Sequence, residues 1–432
     1  MSLAAKRGSF RFVQQRIRSA WSTRTITLHR MSDLIRGHVH PRFHSVRDEL
    51  LRSLRNGSEL GAGVCVWYEG EVVVDLACGM RDRERHLPFE LDTLSTMFSS
   101  TKGMVALCFL MLADRGRLDC DAPISDVWPA FASPTKRMIT TRMLVNHRSG
   151  LIALPRDFNL DDVRDDPGRV RALLEEAEPA WEPGTHQGYH GVTYGLYTAE
   201  LFKRLAGESL GTFFAREVAR PLKADVYIGL PEALESRVAK NVPQDGNERL
   251  RALPSILYGG GPERAILRQV LKKGDTFRAF EFPSEAGPSG LENYNTRRMH
   301  ALELPWGNGL GSARGLCRVY SALANGGSID GVRLVSEAAL VPLQARESWT
   351  ERDRVLCRPM GWTRGFVKEN VGVFSSSEAS FGHPGAGGAL GWCDPTRKLA
   401  MAYLTTKMAY QVRSPRALAL AALVDASVGK AR

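Results

Sequence analysis

The stretch that begins at Ser99 constrains the fold of this 432-residue chain more than any other. It reads Ser99-Ser100-Thr101-Lys102 and continues into an apolar block over residues 104–112. An apolar run of that length suits a buried or amphipathic helix. Two residues three positions apart lie one above the other on a helix, so the serine and the lysine would share a face of its first turn.

This serine and lysine pair contains the groups that nucleophilic catalysis needs. A serine hydroxyl is a poor nucleophile at neutral pH and needs a base within hydrogen-bond reach. A lysine in a dry pocket loses its charge more easily, so its pKa falls and it can act as that base. Free N–H groups of the first helical turn would also stabilise an oxyanion beside Ser99. The pattern is short, however, and a helix N-cap followed by an exposed cation is the structural alternative.

Strand patterns lie near both ends of the chain, and helical patterns lie between them. Residues 61–68 and 71–79 predict a β-hairpin. Residues 387–393 and 399–406 flank a turn-type linker and predict an antiparallel pair. The residues between these two hairpins are mainly helical in pattern, which indicates an inserted helical part.

The expected fold class is therefore α+β, with an antiparallel sheet flanked by helices and built from both termini. The α/β part would comprise about residues 37–103 and 305–432, and the mainly helical part about residues 104–304. Residues 245–261 and 283–296 show the least pattern of the helical part. We expect both of these segments to be exposed loops.

Residues 1–30 differ in composition from the rest of the chain. They hold seven Lys or Arg and no acidic residue, and their apolar residues recur at helical spacing. This composition is typical of a mitochondrial presequence, whereas a disordered basic tail or a true start at Met31 are the alternatives. The presequence would place the protein in mitochondria, and otherwise we expect it in the cytoplasm. In each case residues 31–432 form the expected catalytic domain.

The net charge of +11 is not evenly spread. Seven positive charges lie in residues 1–30, which leaves only +4 on the other 402 residues, and no nucleic-acid-binding motif accompanies them. No run approaches the roughly 18 apolar residues of a membrane helix. The seven cysteines are widely spaced and form no C-x-x-C pair. We therefore expect no nucleic-acid partner, no integral membrane segment, no metal site and a reducing compartment.

A second stretch with chemical content surrounds Tyr189. It reads Trp181-Glu-Pro-Gly-Thr185 and then Tyr189-His190-Gly191, directly before a predicted helix. A tyrosine at such a place can project into a cleft and pass the serine proton to a leaving group. The structural alternative is that Tyr189 is a packing residue whose hydroxyl contacts solvent. His190 has no identifiable acid partner, so we expect it to be structural.

The third stretch, His383-Pro384-Gly385-Ala386, runs into a C-terminal strand. Glycine at such a place allows the backbone to approach a ligand closely. An edge strand here would offer N–H groups, such as that of Ala386, to a substrate carbonyl oxygen, with His383 and Gly385 contacting the substrate. A glycine-rich turn is the alternative.

The three stretches, in this order, resemble those of one known family. S-x-x-K, a tyrosine in the context W-x-P-G-T…Y-H-x-x-T-x-G, and H-x-G at a C-terminal strand are similar to the serine β-lactamase-like superfamily. That superfamily includes class C β-lactamases, penicillin-binding D-alanyl carboxypeptidases and family VIII carboxylesterases. Shorter phrases at 144–151, 308–313, 323–327 and 394–395 match as well. The resemblance spans about residues 37–428 and implies the β-lactamase/transpeptidase-like fold.

The resemblance also implies a role for each matching residue. Ser99 would be the acylated nucleophile and Lys102 its proton acceptor. Tyr189 would carry the proton to the leaving group and activate water in deacylation. The backbone N–H groups of Ser99 and Ala386 would form the oxyanion hole. Acyl transfer of this kind implies no metal and no organic cofactor.

Two positions depart from the β-lactamase pattern. The second motif there is Y-x-N, whereas Gly191 has no side chain, so the amide that would touch Lys102 and a β-lactam carbonyl is missing. The third motif there begins with lysine, whereas His383 begins it here. A neutral histidine binds a substrate carboxylate less well and lowers the pKa of the tyrosine less. Both departures resemble family VIII esterases and the mitochondrial β-lactamase-like proteins.

These departures favour a serine esterase that acts on a small or medium ester, or second on an amide. A β-lactamase or D-alanyl peptidase is the alternative with the same chemistry. A third alternative is a non-catalytic scaffold or filament protein that keeps only a residual active site. Self-association into a homo-oligomer would fit that alternative. The sequence does not identify the natural substrate.

Overall fold

The structure, a computed structural model, describes residues 35–244, 246–368 and 373–429. The predicted presequence, residues 1–30, lies outside the described residues. Long strands come from the two ends of the described chain, and the strands between them are short. The strands are β1 (Ile35–Val39), β2 (Gly61–Tyr68), β3 (Glu71–Asp82), β4 (Leu87–Pro88), β5 (Ser95–Thr96), β6 (Val226–Tyr227), β7 (Leu310–Gly311), β8 (Ser328–Ile329), β9 (Val332–Arg333), β10 (Ser348–Thr350), β11 (Met360–Thr363), β12 (Phe366–Val367), β13 (Phe381–Pro384), β14 (Leu390–Asp394) and β15 (Leu399–Thr405).

Helices occupy most of the middle of the chain. None of the described helices combines the length and the apolar character that crossing a bilayer requires. The α-helices are α1 (His44–Arg55), α2 (Thr101–Asp114), α3 (Thr141–Val145), α4 (Asp162–Asp165), α5 (Pro167–Glu176), α6 (Thr193–Ala206), α7 (Leu210–Phe214), α8 (Arg220–Leu222), α9 (Gly246–Tyr258), α10 (Pro262–Leu271), α11 (Asp275–Glu281), α12 (Arg297–Ala301), α13 (Ala313–Ala324), α14 (Glu337–Leu340) and α15 (Pro415–Val428).

The main sheet joins the two ends of the chain. Its strand order is β1-β3-β2-β15-β14-β13-β12-β11-β10, with β4 paired to β3 at one side. Every neighbouring pair along this path is antiparallel. The central contact is between β2 and β15, where Val66 lies opposite Met401. The first and last parts of the chain therefore meet in the middle of the sheet.

Both faces of the sheet are buried, because helices cover each of them. Alternate residues of a strand point to opposite faces, and along β2 the side chains of Cys65 and Trp67 join one apolar cluster while those of Val64 and Val66 join the other. Helix α13 packs on the first face, and α1 and α15 pack together on the second. Every residue of β15 is buried as a result.

The α+β class, the β2–β3 hairpin and the antiparallel β14–β15 pair are confirmed. Two expectations about loops were wrong. Residues 245–261 contain the helix α9, because their apolar residues recur at helical spacing in spite of Pro254. Residues 283–296 form short 3₁₀ turns and are partly buried. The expected edge strand was also wrong, since β13 lies inside the sheet between β12 and β14.

Candidate active site

Ser99 lies in a single 3₁₀ turn, Phe98–Ser100, that leads directly into α2. Phe98 has a φ of 44°, in the left-handed region that residues other than glycine rarely adopt. Such a conformation costs free energy and persists only where the surrounding structure enforces it. The turn leaves Ser99 partly exposed while Ser100 and Lys102 are buried.

Two segments from distant parts of the chain enforce this turn. The N–H of Met97 donates to the carbonyl of Gly309 at 2.7 Å, and the N–H of Gly309 donates to the hydroxyl of Thr101 at 3.0 Å. On the other side, the Ser100 hydroxyl donates to the carbonyl of His383 in β13 at 2.8 Å. The segments around residues 309 and 383 therefore fix the position of the serine.

Lys102 is buried completely and points back at the serine. Its Nζ lies 3.5 Å from the Ser99 Oγ, 3.0 Å from the carbonyl oxygen of Gly191 and 2.7 Å from that of Trp306. Burial holds the pKa of the Lys102 amine well below its usual range. The alternative of an exposed helix cation is therefore wrong, and Ser100, the N-cap residue of α2, makes no side-chain capping bond.

Tyr189 completes the group around Ser99. Its ring lies against Trp362 in β11, with ring centroids 6.0 Å apart, and the Lys102 Nζ is 4.8 Å from the Tyr189 centroid. Burial raises the pKa of the Tyr189 phenol, and a hydrogen bond between the side chains of Tyr189 and Ser99 opposes this rise. The structure thus brings the three residues predicted to act together into contact.

Residues from another part of the chain occupy the space beside Gly191, the third position of the tyrosine motif. A Cβ at Gly191 would collide with the ring of Phe280 and with the carbonyl of Ala279, both in α11. Phe280 also packs near Tyr189, with ring centroids 6.4 Å apart. A side-chain amide at position 191 has no room here, because α11 occupies its place.

Asp353 is a buried carboxyl that positions Tyr189. Its Oδ1 accepts the backbone N–H of Tyr189 at 3.0 Å, and those of Val355 and Leu356 at 2.9 and 2.8 Å. Burial raises the pKa of Asp353 to about 6, and these hydrogen bonds oppose the rise. Asp353 and Phe280 lie in segments without a readable motif, so neither is predictable from the sequence.

The third stretch contacts the turn that holds Ser99 through its backbone. A Cβ at Gly385 would collide with the carbonyl of Met97, so only glycine allows this approach. Ala386 lies in the exposed turn that follows β13, and no backbone hydrogen bond among the described residues uses its N–H. The His383 ring is buried, its Nδ1 lies 2.8 Å from the Pro384 carbonyl, and burial holds its pKa well below the usual range.

Two other histidines near Tyr189 have structural partners. The ring of His190 bonds to the Ser149 hydroxyl at 2.8 Å and to the Gly188 carbonyl at 2.7 Å, and burial lowers its pKa to about 3. The Nδ1 of His147 accepts the N–H of His190 at 3.0 Å, and its ring packs between Tyr189 and Trp362. Burial lowers the pKa of both imidazoles and favours their neutral forms, and these contacts fix the residues that pack against Tyr189.

A small cavity of about 10 Å³ lies beside Gly385, and Ser99, Lys102 and Tyr189 are not among the residues that line it. Apolar side chains form most of its walls, and Arg413 and Ser414 supply polar atoms. The apolar walls include Val373, Phe374, Leu390, Val412, Ala417 and Leu418.

Over the described residues, no group of three or more His, Cys, Asp or Glu is arranged to hold a metal ion, and the seven cysteines are unpaired.

Three comparisons with known proteins point to one family. A model of the beta-lactamase family matches residues 46–426. The chain is 32% identical over 379 residues to Esterase/beta-lactamase LipL of Mycobacterium tuberculosis (strain ATCC 25618 / H37Rv), covering 86% of this chain and 83% of that protein. A crystal structure of a family VIII carboxylesterase superposes with a TM-score of 0.79 and 32% identity, covering 91% of this chain and 99% of the other. A penicillin-binding protein homolog from Caulobacter crescentus gives a TM-score of 0.78, with the same identity and coverage.

Proposed function

This chain belongs to the beta-lactamase family, and we propose that it is a serine esterase that works through a covalent acyl-enzyme. One observation carries the proposal: a fully buried Lys102 amine between two backbone carbonyls, beside the half-exposed Ser99 hydroxyl. The relatives named as esterases support an ester as the substrate. The named residues act as follows.

Acylation begins with Lys102 as the base. A neutral amine has two N–H groups and one lone pair, and the carbonyls of Gly191 and Trp306 accept both hydrogens. The lone pair then faces the Ser99 hydroxyl, takes its proton and leaves the oxygen to attack the ester carbonyl. Burial lowers the pKa of the amine, which favours the neutral form that this step needs.

Tyr189 then supplies a proton to the leaving group. Its raised pKa keeps the phenol protonated, so it donates to the departing alkoxide and recovers a proton from Lys102. The alcohol leaves, and the acyl group stays on Ser99. In deacylation the same groups remove a proton from water, which attacks the acyl carbonyl and releases the acid and free Ser99.

The N–H groups of Ser99 and Ala386 are proposed to bind the oxyanion. The Ala386 amide is free of backbone partners among the described residues, which supports this role. Preorganised donors of this kind stabilise the charge that develops on the carbonyl oxygen. His383 and Gly385 are proposed to contact the substrate, because both lie against the turn that holds Ser99.

An ester is favoured over a β-lactam for two reasons. Phe280 fills the place where a β-lactamase carries the amide of its second motif. His383 is buried with a lowered pKa, so it brings no positive charge to bind a lactam carboxylate.

Labelling with a fluorophosphonate probe tests this function. We expect the wild type and Ser100→Ala to be labelled and Ser99→Ala to stay unlabelled. Tyr189→Phe should lower turnover of p-nitrophenyl butyrate by about 10²- to 10⁴-fold, the usual contribution of general acid catalysis. An unlabelled wild type would contradict the proposal, and nitrocefin turnover equal to ester turnover would favour the β-lactamase alternative.

The scaffold alternative is tested separately. A scaffold needs none of Ser99, Lys102 and Tyr189, which favours catalysis. Light scattering would reveal the homo-oligomer that the scaffold requires. A large assembly whose function survives Ser99→Ala would support it. The mitochondrial location stays a prediction, and fractionation of cells that express the full chain would test it.

A further inference from the structure

The helical hairpin, defined here as residues 250–273 of α9 and α10, carries apolar side chains that face outwards. On α9 these are Leu250, Leu253, Leu257 and Tyr258, all exposed and spaced so that they share one face of the helix. Tyr258 is 84% exposed, and Leu271 at the end of α10 is 75% exposed. Exposed apolar side chains concentrated on one pair of helices mark a surface that binds something.

Cations border this apolar face. The side chains of Arg264, Arg268, Lys272 and Lys273 are all exposed, and within the described part of the chain none of them forms an ion pair. Glu263 is the one acidic residue in the sequence of the hairpin, and its Oε1 accepts the N–H of Val412. Exposed leucines beside unpaired cations are the composition of surfaces that bind anionic lipid.

The chain enters the hairpin at the rim of the candidate active site. The N–H of Val242 donates to the carbonyl of Thr406 at 2.7 Å, and the N–H of Met408 donates to that of Val242 at 3.0 Å. The next residue, Ala409, donates to the carbonyl of Gly387 at 2.9 Å, one residue beyond Ala386. The entrance is thus tied to the turn that follows β13.

The chain leaves the hairpin through α11, which packs against the tyrosine. Phe280 lies beside Tyr189 and over Gly191. At the start of α11, the Asp275 carboxylate accepts a hydrogen bond from the Nε of Arg354 at 2.7 Å. Arg354 directly follows Asp353, whose carboxyl accepts the backbone N–H of Tyr189. Both ends of the hairpin are therefore anchored to elements that carry the site.

We propose that the helical hairpin docks on an anionic lipid surface, and that apolar esters held in that surface are the substrates of Ser99. The substrate half of this inference rests on the esterase function proposed above, whereas the docking half does not. A second copy of the chain is the competing occupant. A symmetric dimer would place the four unpaired cations of each hairpin against those of the other, which is unfavourable.

Vesicle binding tests the docking half without catalysis. Ser99→Ala protein is sedimented with vesicles of phosphatidylcholine and phosphatidylglycerol in equal parts, and with vesicles of phosphatidylcholine alone. We expect binding to the mixed vesicles that weakens with salt, because screening reduces the attraction between the cations and the lipid headgroups. No binding to the mixed vesicles at low salt would overturn the proposal.

Paired substitutions assign the binding to the hairpin. In the Ser99→Ala background, Leu253→Asp with Leu257→Asp should weaken binding by about 100-fold, since each exposed leucine loses its burial in lipid. Arg268→Glu with Lys272→Glu should weaken it by about 30-fold. The matched control is Met138→Asp with Val341→Asp, at positions 67% and 62% exposed outside the hairpin, and it should bind as before. Equal loss in the control pair would overturn the assignment.

Activity tests the substrate half. In the otherwise wild-type chain, the ratio of turnover on a long-chain ester in mixed vesicles to turnover on soluble p-nitrophenyl butyrate should fall about tenfold in the leucine pair and stay constant in the control pair. Vesicle binding without any ester turnover would leave the docking surface standing and refute the esterase function. Ester turnover without vesicle binding would refute the docking surface. A wild-type dimer that the leucine pair converts to a monomer, with no vesicle binding, would assign the hairpin to a second copy.

Discussion

Helices α2 and α9 are both rich in apolar residues and have opposite surroundings. Every residue of α2 from Thr101 to Leu112 is buried, because the sheet and other helices enclose it on all sides. Helix α9 buries Ala252 and turns its leucines outwards. An apolar sequence predicts that a helix packs against another surface, and it does not predict which surface. The chain itself supplies the partner of α2, and we propose a lipid surface for α9.

The largest expected effect concerns the one amine buried in α2. Lys102→Met should lower kcat for p-nitrophenyl butyrate by about 10³-fold or more, because Ser99 loses its base. Lys136→Met is the matched control, since Lys136 is also fully buried and donates to the carbonyl of Glu175. Its kcat should match the wild type. Equal activity of Lys102→Met and wild type would refute the role of Lys102.

The second effect compares the two helices directly. Leu107→Ala in α2 should lower the free energy of unfolding by about 2–5 kcal/mol, because it leaves a cavity in a packed core. Leu257→Ala in α9 should change it by less than about 0.5 kcal/mol, since that side chain is exposed. Urea unfolding of both variants measures the difference. A large loss at Leu257 would show that α9 has a partner within the chain.

The third effect is a pH dependence that follows from burial of the α2 amine. The lowered pKa of Lys102 means that the neutral, active form is populated well below the ordinary value of 10.5. The raised pKa of Tyr189 keeps its phenol protonated up to and beyond pH 10.0. The acylation rate should therefore rise on the acid side, reach a plateau well below pH 10.5 and stay level to about pH 10. A pre-steady-state burst of p-nitrophenol measures it, and a tenfold rise per pH unit up to pH 10 would contradict the assignment.

The smallest effect concerns the attachment of α2 to the sheet. Ser100→Ala removes the hydrogen bond to the His383 carbonyl and should lower the free energy of unfolding by about 1 kcal/mol. Probe labelling of Ser99 should persist, since the nucleophile and its base are untouched. Thermal unfolding and labelling of the same sample check both statements. Loss of labelling in a fully folded variant would show that Ser100, and not Ser99, reacts.

Much of the fold followed from local patterns. The strand patterns at 61–68 and 71–79 and the turn-type linker before β15 each have a local physical cause, and these elements form where expected. The candidate site was predictable as far as Ser99, Lys102 and Tyr189, since each falls in a motif of its own. Asp353 and Phe280 were not predictable, because their effect on Tyr189 and Gly191 depends on packing between segments far apart in the chain.

The sequence by itself determined that a serine and a lysine share the first turn of an apolar helix, because helical spacing and apolarity are local properties. Enclosure of the Lys102 amine, which lowers its pKa, depends on the fold, since the Gly191 and Trp306 carbonyls beside it come from distant segments. In the same way, the sequence determined the apolar spacing of α9. The tertiary structure decided that this face stays uncovered, since exposure depends on which elements pack against a helix.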